Sequence, residues 1–195
     1  MPDPYQEQID LDLKRTFSDD EEFTNDLAQM DKMMSILLSY SKRNTSIGYC
    51  QGMNYLAGIV SRVVEDEEEA FWVLVNLFEG ILPIDYFCLM TEILVDQKIL
   101  IQILQKKKVK LFKHLQNIGL DFAIISFQWL VCLLTANLSR EISESIWDFL
   151  LLEGSVAIFR AILAILNLLE NELLMQDDFN DLYQMLENGP LEKVK

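Results

Sequence analysis

The chain has 195 residues, 51% of them hydrophobic and 24% charged, with a formal net charge of −15 and a pI near 4.4. That length suits one well-cored domain, and the apolar content excludes disorder as the main theme. The excess of acid excludes ordinary nucleic-acid binding, which rests on Lys and Arg neutralising phosphates, and it disfavours adsorption to anionic lipid.

In chain order, the first segment with character is Ile9-Asp10-Leu11-Asp12-Leu13-Lys14-Arg15-Thr16-Phe17. Helical spacing puts Asp12 and Arg15 on one face, where a solvated ion pair is worth about 0.3–0.5 kcal/mol. Met30, Met33, Met34 and Met53 read as fillers of core gaps. Next comes Ile47-Gly48-Tyr49-Cys50-Gln51-Gly52-Met53-Asn54, in which Gln51 lies between two glycines where a polar loop gives way to an apolar helix. Glycine there permits a tight turn and the close approach of a partner, and Tyr49 reads equally as a core aromatic with a satisfied hydroxyl. Ala70, Leu74, Leu77, Phe78 and Ile81 share one helical face, behind acid at residues 66–69 that complements the helix dipole. Between Pro83 and Pro190 there is no proline, which favours helix throughout.

Lys106, Lys107 and Lys108, with Lys110 and Lys113, form the one basic cluster and read as a solvated helix face, with contact to an acidic patch on a partner or to a membrane surface as the functional alternative. His114 reads as an ordinary helix-surface histidine. Residues 122–137 and 142–152 are expected to be helices separated by turn and cap residues at 137–139. Glu153-Gly154-Ser155 reads as a helix stop and a new N-cap. Residues 156–174 are apolar on nearly every face, which predicts the central, most buried helix. Residues 177–186 form a last amphipathic helix, stopped by Asn188-Gly189-Pro190. The expectation is one all-α domain over 1–195 of roughly nine or ten helices, ending near 187.

Cys50, Cys88 and Cys132 supply neither a disulfide framework nor a CxxC pair, which points to a reducing compartment, the cytosol. His114 is the sole histidine, so no His-based triad and no HExxH zinc site is spelled. No GxxxxGK[ST] loop appears and no apolar run is long enough to span a bilayer, so neither a nucleotide, a metal nor a transmembrane segment is expected. What remains is an arginine and a glutamine on separate segments. Phosphoryl transfer needs these two from outside, a cation for charge and an amide for a water. The pair suggests a protein that completes another protein's active site.

The ordered motifs Ile9-x-x-Asp12-x-x-Arg15-Thr16 and Gly48-Tyr49-Cys50-Gln51-Gly52-Met53-Asn54 closely resemble those of the TBC-domain family, activators of Rab-type small GTPases. Asn44, Ile146-Trp147-Asp148, Glu153-Gly154 and Phe159-Arg160 extend the resemblance, and the Asp-Leu-Lys-Arg-Thr-Phe spelling is most similar to the growth-hormone-regulated members. The resemblance implies an entirely helical fold. It also implies that Arg15 is an arginine finger and Gln51 a glutamine finger, acting in trans on a GTP-bound Rab. Asp12, Thr16, Tyr49, Gly52, Asn54, Trp147, Asp148 and Arg160 would support the fingers or the bound GTPase. GTP and magnesium would come with the Rab, the chain holding no cofactor of its own, in the cytoplasm and at endomembranes through its partner. Ser18 stands where the family usually has proline, and Ser145 where arginine is common. The family's first helices are expected upstream of Met1, and the C-terminal end reads as trimmed. The competing reading is a catalytically inert helical Rab-binding or scaffold protein.

Overall fold

A computed structural model describes residues 4–18 and 20–187, which fall into two compact units, Met1–Met90 and Thr91–Lys195. The described residues hold no strand, as the periodicity of the apolar residues predicts, and eleven α-helices, somewhat more than the nine or ten expected.

The first unit contains α1 (Gln6–Leu13), α2 (Glu21–Thr24), α3 (Leu27–Arg43), α4 (Met53–Val63) and α5 (Glu67–Asn76), the last running into a π-helical turn at Leu77–Ile81. Aspartates start three of these helices. The Asp20, Asp26 and Asp66 carboxylates accept the backbone N–H of Phe23 (3.0 Å), Gln29 (3.0 Å) and Glu69 (2.9 Å), satisfying amides that the helix leaves unpaired. At the far end of α4, Lys32 Nζ reaches from α3 to donate to the carbonyls of Ser61 (3.0 Å) and Glu65 (2.9 Å). That contact closes orphan carbonyls and ties α3 to α4.

α4 is the buried centre of this unit. Its Met53, Asn54, Leu56, Ala57, Gly58, Ile59, Val60 and Ser61 are all buried, and α1, α3 and α5 pack around it. Small residues explain why. A Cβ on Gly58 would lie 2.6 Å from Cε2 of Phe17 and 3.4 Å from the Met33 methyl, so glycine lets the chain after α1 pack directly on the α4 backbone. Phe17 itself is held at φ 49, a left-handed conformation that costs an aromatic residue energy and persists only where packing imposes it. The Phe17 ring meets Phe23 and Tyr55 edge-on at centroid distances of 5.1 and 5.4 Å. The Arg62 guanidinium lies 4.7 Å from the ring centre and pairs with Asp20.

The second unit contains α6 (Thr91–Lys107), α7 (Val109–Ile118), α8 (Phe122–Val131), α9 (Arg140–Glu153), α10 (Val156–Leu173) and α11 (Phe179–Glu187). α6 packs on α7 and α8, α9 on α10, and α11 on α8. Two expectations are corrected here. α8 ends at Val131 instead of continuing to 137, because the chain reverses through Leu133 and Leu134 at φ 46 and 66. α10 is half-buried rather than the most buried helix, with Val156 51% and Leu168 66% exposed. Its apolar residues outnumber the surface available to cover them, whereas α4 achieves fuller burial with small residues. Gly154 stops α9 at φ 77 as expected, but Ser155 makes no side-chain cap. His114 is half-buried and donates from Nε2 to the Gln176 carbonyl at 2.9 Å. The expected stop at 188–190 lies outside the described residues.

Gly58→Ala tests the close approach at α4. Overpacking costs about 1–3 kcal/mol, against a helix-propensity gain of at most about 1 kcal/mol. A net loss of roughly 1 kcal/mol or more is expected in urea unfolding, since the half-buried Phe17 ring must give up contacts with Phe23, Tyr55 or Arg62 to make room.

Candidate functional site

α1 ends at Leu13, so Arg15 lies in the turn just beyond the helix, while Asp12 is still in its last turn. Asp12 is 2% exposed. A carboxylate that deep must be paired to remain charged, and it has two donors. Arg15 Nη2 bonds Oδ1, and the Tyr49 hydroxyl donates to Oδ2 at 2.7 Å. The Arg15 side chain is 56% exposed. With one partner so open, the pair contributes no more than about 1 kcal/mol to stability. Its effect is geometric: it holds a guanidinium at the surface in one orientation.

A second set of bonds fixes the loop that carries Gln51. Asn54, fully buried in the first turn of α4, accepts the Gly52 N–H on Oδ1 at 2.9 Å and donates from Nδ2 to Thr16 Oγ1 at 2.8 Å. Thr16 Oγ1 in turn donates to the Asp12 carbonyl at 2.8 Å. The two sequence motifs are therefore joined by a closed, buried circuit of Asp12, Tyr49, Asn54 and Thr16, with Arg15 and Gln51 attached to it on the outside. Buried polar networks of this kind specify one arrangement when every member is satisfied.

Both glycines of the loop are required by its shape. Gly52 caps α4 at φ 108 and Gly48 turns at φ 65. A Cβ on Gly48 would fall 2.2 Å from the Tyr5 hydroxyl. The loop thus leaves Tyr49 buried at 6% exposure and turns Gln51 outward. The Gln51 side-chain amide has no hydrogen-bond partner among the described residues, so it is available to something outside the chain.

Burial, and then the bond to Asp12, hold the Tyr49 hydroxyl far above the usual phenol range, so it is a permanent donor at neutral pH. Burial and the Asp12 charge push the Cys50 thiol up to about 11. A neutral thiol is a poor nucleophile. Among the described residues no cluster of three or more His, Cys, Asp or Glu is placed to hold a metal ion, and no helix is long and apolar enough to cross a membrane.

The structure brings Asp12, Arg15, Thr16, Tyr49, Gly52 and Asn54 together in the first unit, with Gln51 on the loop they hold. The other three candidates belong to the second unit. Trp147 packs into the buried side of α9 at 5% exposure, Asp148 is exposed on the same helix, and Arg160 pairs with Glu153 across the corner between α9 and α10. The wedge of Phe17 on Gly58, with Arg62 and Asp20 behind it, was not anticipated. Its one visible signal is an isolated glycine inside an apolar helical pattern.

Comparison with known proteins gives the same family throughout. The sequence profile described as the Rab-GTPase-TBC domain matches residues 1–174. TBC1 domain family member 2A of Homo sapiens is 40% identical over 185 residues, covering 94% of this chain and 20% of that protein. TBC1 domain family member 2B of Xenopus tropicalis is 36% identical over 188 residues, again covering 94% of the chain and 20% of the relative. The chain thus spans about a fifth of the length of the curated relatives it matches. Among solved structures, the Chlamydomonas flagellar RabGAP TBC domain superposes with a TM-score of 0.87 at 27% identity, over 97% of this chain and 64% of that one. The Ypt/Rab-GAP domain of Gyp1p shares the fold at a TM-score of 0.82 and 23% identity, over 98% and 68%.

Two measurements check the circuit. Asn54→Ala strands the Gly52 amide and removes the bond that the Thr16 hydroxyl accepts, and it is expected to cost about 1–3 kcal/mol in denaturant unfolding. For pH, the Tyr49 phenol is raised in the fold above its ordinary value of 10.0, so its contribution is constant below that pH. Above it the unfolded chain releases the proton while the folded chain keeps it, and stability falls. Tyr49→Phe should therefore show a shallower alkaline loss of stability than the parent chain.

Proposed function

The chain belongs to the Rab-GTPase-TBC domain family, and from that premise we propose that it accelerates GTP hydrolysis by a Rab-family GTPase in its GTP form, with Arg15 and Gln51 as the two groups it inserts. The observation that carries this reading is the pairing of an outward, oriented guanidinium with an outward, uncommitted amide, both mounted on one buried hydrogen-bonded circuit.

Hydrolysis of a bound nucleoside triphosphate has little covalent chemistry for an activator to perform. It needs an attacking water held in line and charge relief on the phosphate oxygens. A guanidinium supplies charge and a planar fork of donors for two oxygens. An amide presents one acceptor and two donors, enough to accept from the water and donate to an oxygen beside it. Neither group changes protonation state, so no general base, metal or nucleotide loop is required of this chain, and GTP with its magnesium enters on the partner. Preorganisation supplies the rest. Asp12 holds Arg15 before the partner arrives, which lowers the ordering cost on docking and keeps the charge aimed. The Gly48 and Gly52 turns keep bulk away from Gln51 so that another backbone can approach it.

A panel of purified GTP-loaded Rabs, assayed for phosphate release with and without the chain, identifies the partner. On that partner, Arg15→Ala is expected to reduce stimulated hydrolysis by roughly 10³–10⁵-fold, with Arg15→Lys failing nearly as badly for want of the fork. Gln51→Ala should abolish stimulation. A Rab whose own catalytic glutamine is replaced should still be accelerated by the parent chain. Loss of stimulation with that Rab, together with survival of Gln51→Ala, would reject the role given to Gln51.

A further inference from the structure

The sequence from Gln97 to Leu120 contains no Asp or Glu, in a chain with 31 of them, and it carries Lys98, Lys106, Lys107, Lys108, Lys110 and Lys113. The structure divides these lysines. Lys108 turns inward and pairs with Glu170 on α10 at 2.7 Å. The other five are exposed and have no ion pair among the described residues.

Their placement is directional. On α6, Lys98, Gln102 and Lys106 recur at i, i+4 and i+8, opposite the buried Ile93, Leu100 and Leu104. On α7, Lys110 and Lys113 lie opposite the buried Leu111 and Leu115. Apolar side chains share the exposed surface of these helices: Leu94, Val95, Ile99 and Val109 are each 42–45% exposed. Local helix energetics accounts for only part of this. Lys106 and Lys107 suit the C-terminal end of α6, but Lys110 sits in the first turn of α7, where the dipole opposes a cation, and no acid offsets it.

We infer that the outward face of α6 and α7 is a contact surface for an anionic lipid bilayer. Unpaired cations interspersed with half-exposed aliphatic side chains are the chemistry that meets headgroup phosphates and the outer acyl region together. The cations also extend too far for a single anion, since Lys98 and Lys106 alone are separated by eight residues, about 12 Å of helix. The net charge of −15 does not cancel the effect. Screening confines interactions between exposed charges to about 10 Å at 0.1 M salt; along the chain the nearest acids are Glu92, Asp96 and Asp121, and across it Glu170 is committed to Lys108 while Asp177 follows the Gln176 carbonyl that meets His114. The overall acidity still repels the membrane at long range, so the contact is weak and salt-sensitive. It operates beside a partner that brings the chain close.

Co-sedimentation with extruded vesicles tests this without any GTPase. At about 0.1 M salt the chain is expected to partition onto phosphatidylcholine vesicles containing phosphatidylserine, not onto phosphatidylcholine alone, and to be released as salt approaches about 1 M. Each lysine near the surface is worth about fivefold in partitioning, so Lys106→Gln with Lys110→Gln should weaken binding roughly 25-fold. A control with the same charge change, Lys14→Gln with Lys42→Gln, should leave it nearly intact. Lys98→Gln with Lys113→Gln provides an independent second pair, and unchanged far-ultraviolet dichroism certifies each variant's fold. No partitioning, equal partitioning onto neutral vesicles, or equal loss in the control pair overturns the inference. So does capture of soluble polyglutamate through these lysines without vesicle binding, which assigns the face to an acidic protein segment.

Discussion

A carboxylate buried to 2% exposure cannot keep its charge without partners, and the way Asp12 obtains them organises the first unit. One oxygen takes the Arg15 guanidinium, the other the Tyr49 hydroxyl. The first bond fixes the chain after α1, and the second fixes the loop before α4. Because Asn54 and Thr16 close the same circuit from the backbone side, neither segment can shift without leaving a buried polar atom unpaired. The cost of disorder at the surface is thereby set by groups in the interior. For a pair of side chains proposed to act on another protein's nucleotide, this is the useful property: stiffness at Arg15 and Gln51 without any contact between them.

The apolar side of the same region does complementary work. Phe17, two residues after Arg15, adopts a left-handed backbone and presses onto the α4 backbone at Gly58. Its strain is balanced by Phe23, Tyr55 and the stacked Arg62. The arginine turn is therefore held at both ends, by hydrogen bonds at Asp12 and Thr16 and by packing at Phe17. Such a loop has fewer ways to rearrange than a solvated Asp-Arg pair on a free helix end.

How much of this was legible depends on the range of the interaction. The helical class followed from periodicity, and the arginine and glutamine segments from their spelling, since glycines flanking a polar side chain at a helix start report local backbone geometry. The circuit was only half legible: Asp12, Thr16, Tyr49 and Asn54 could be named from the motifs, but the bonds that pair them cross between distant segments. The Phe17–Gly58 contact left only a glycine to see. Hydropathy misled at α10, because counting apolar residues measures what a helix could bury, while burial is decided by how closely neighbours approach, and α4 wins through Ala57, Gly58 and Ser61. The early end of α8 was invisible for a related reason. Leu133 and Leu134 favour helix locally and are placed in left-handed turns by tertiary packing.

The most direct measurement is single-turnover GTP hydrolysis on the Rab that the parent chain stimulates, using Asp12→Asn. Asparagine keeps the shape and can still accept from Tyr49, but its amide hydrogens then face Arg15, so the charge that holds Arg15 is gone and some stability goes with it. The expected result, at a temperature where the variant is folded, is a large fall in the stimulated rate with Rab affinity little changed, since positioning would be lost and bulk contacts kept. An unaltered rate, or a parent chain that stimulates no Rab at all, would contradict the view that a buried carboxylate aims the arginine for catalysis.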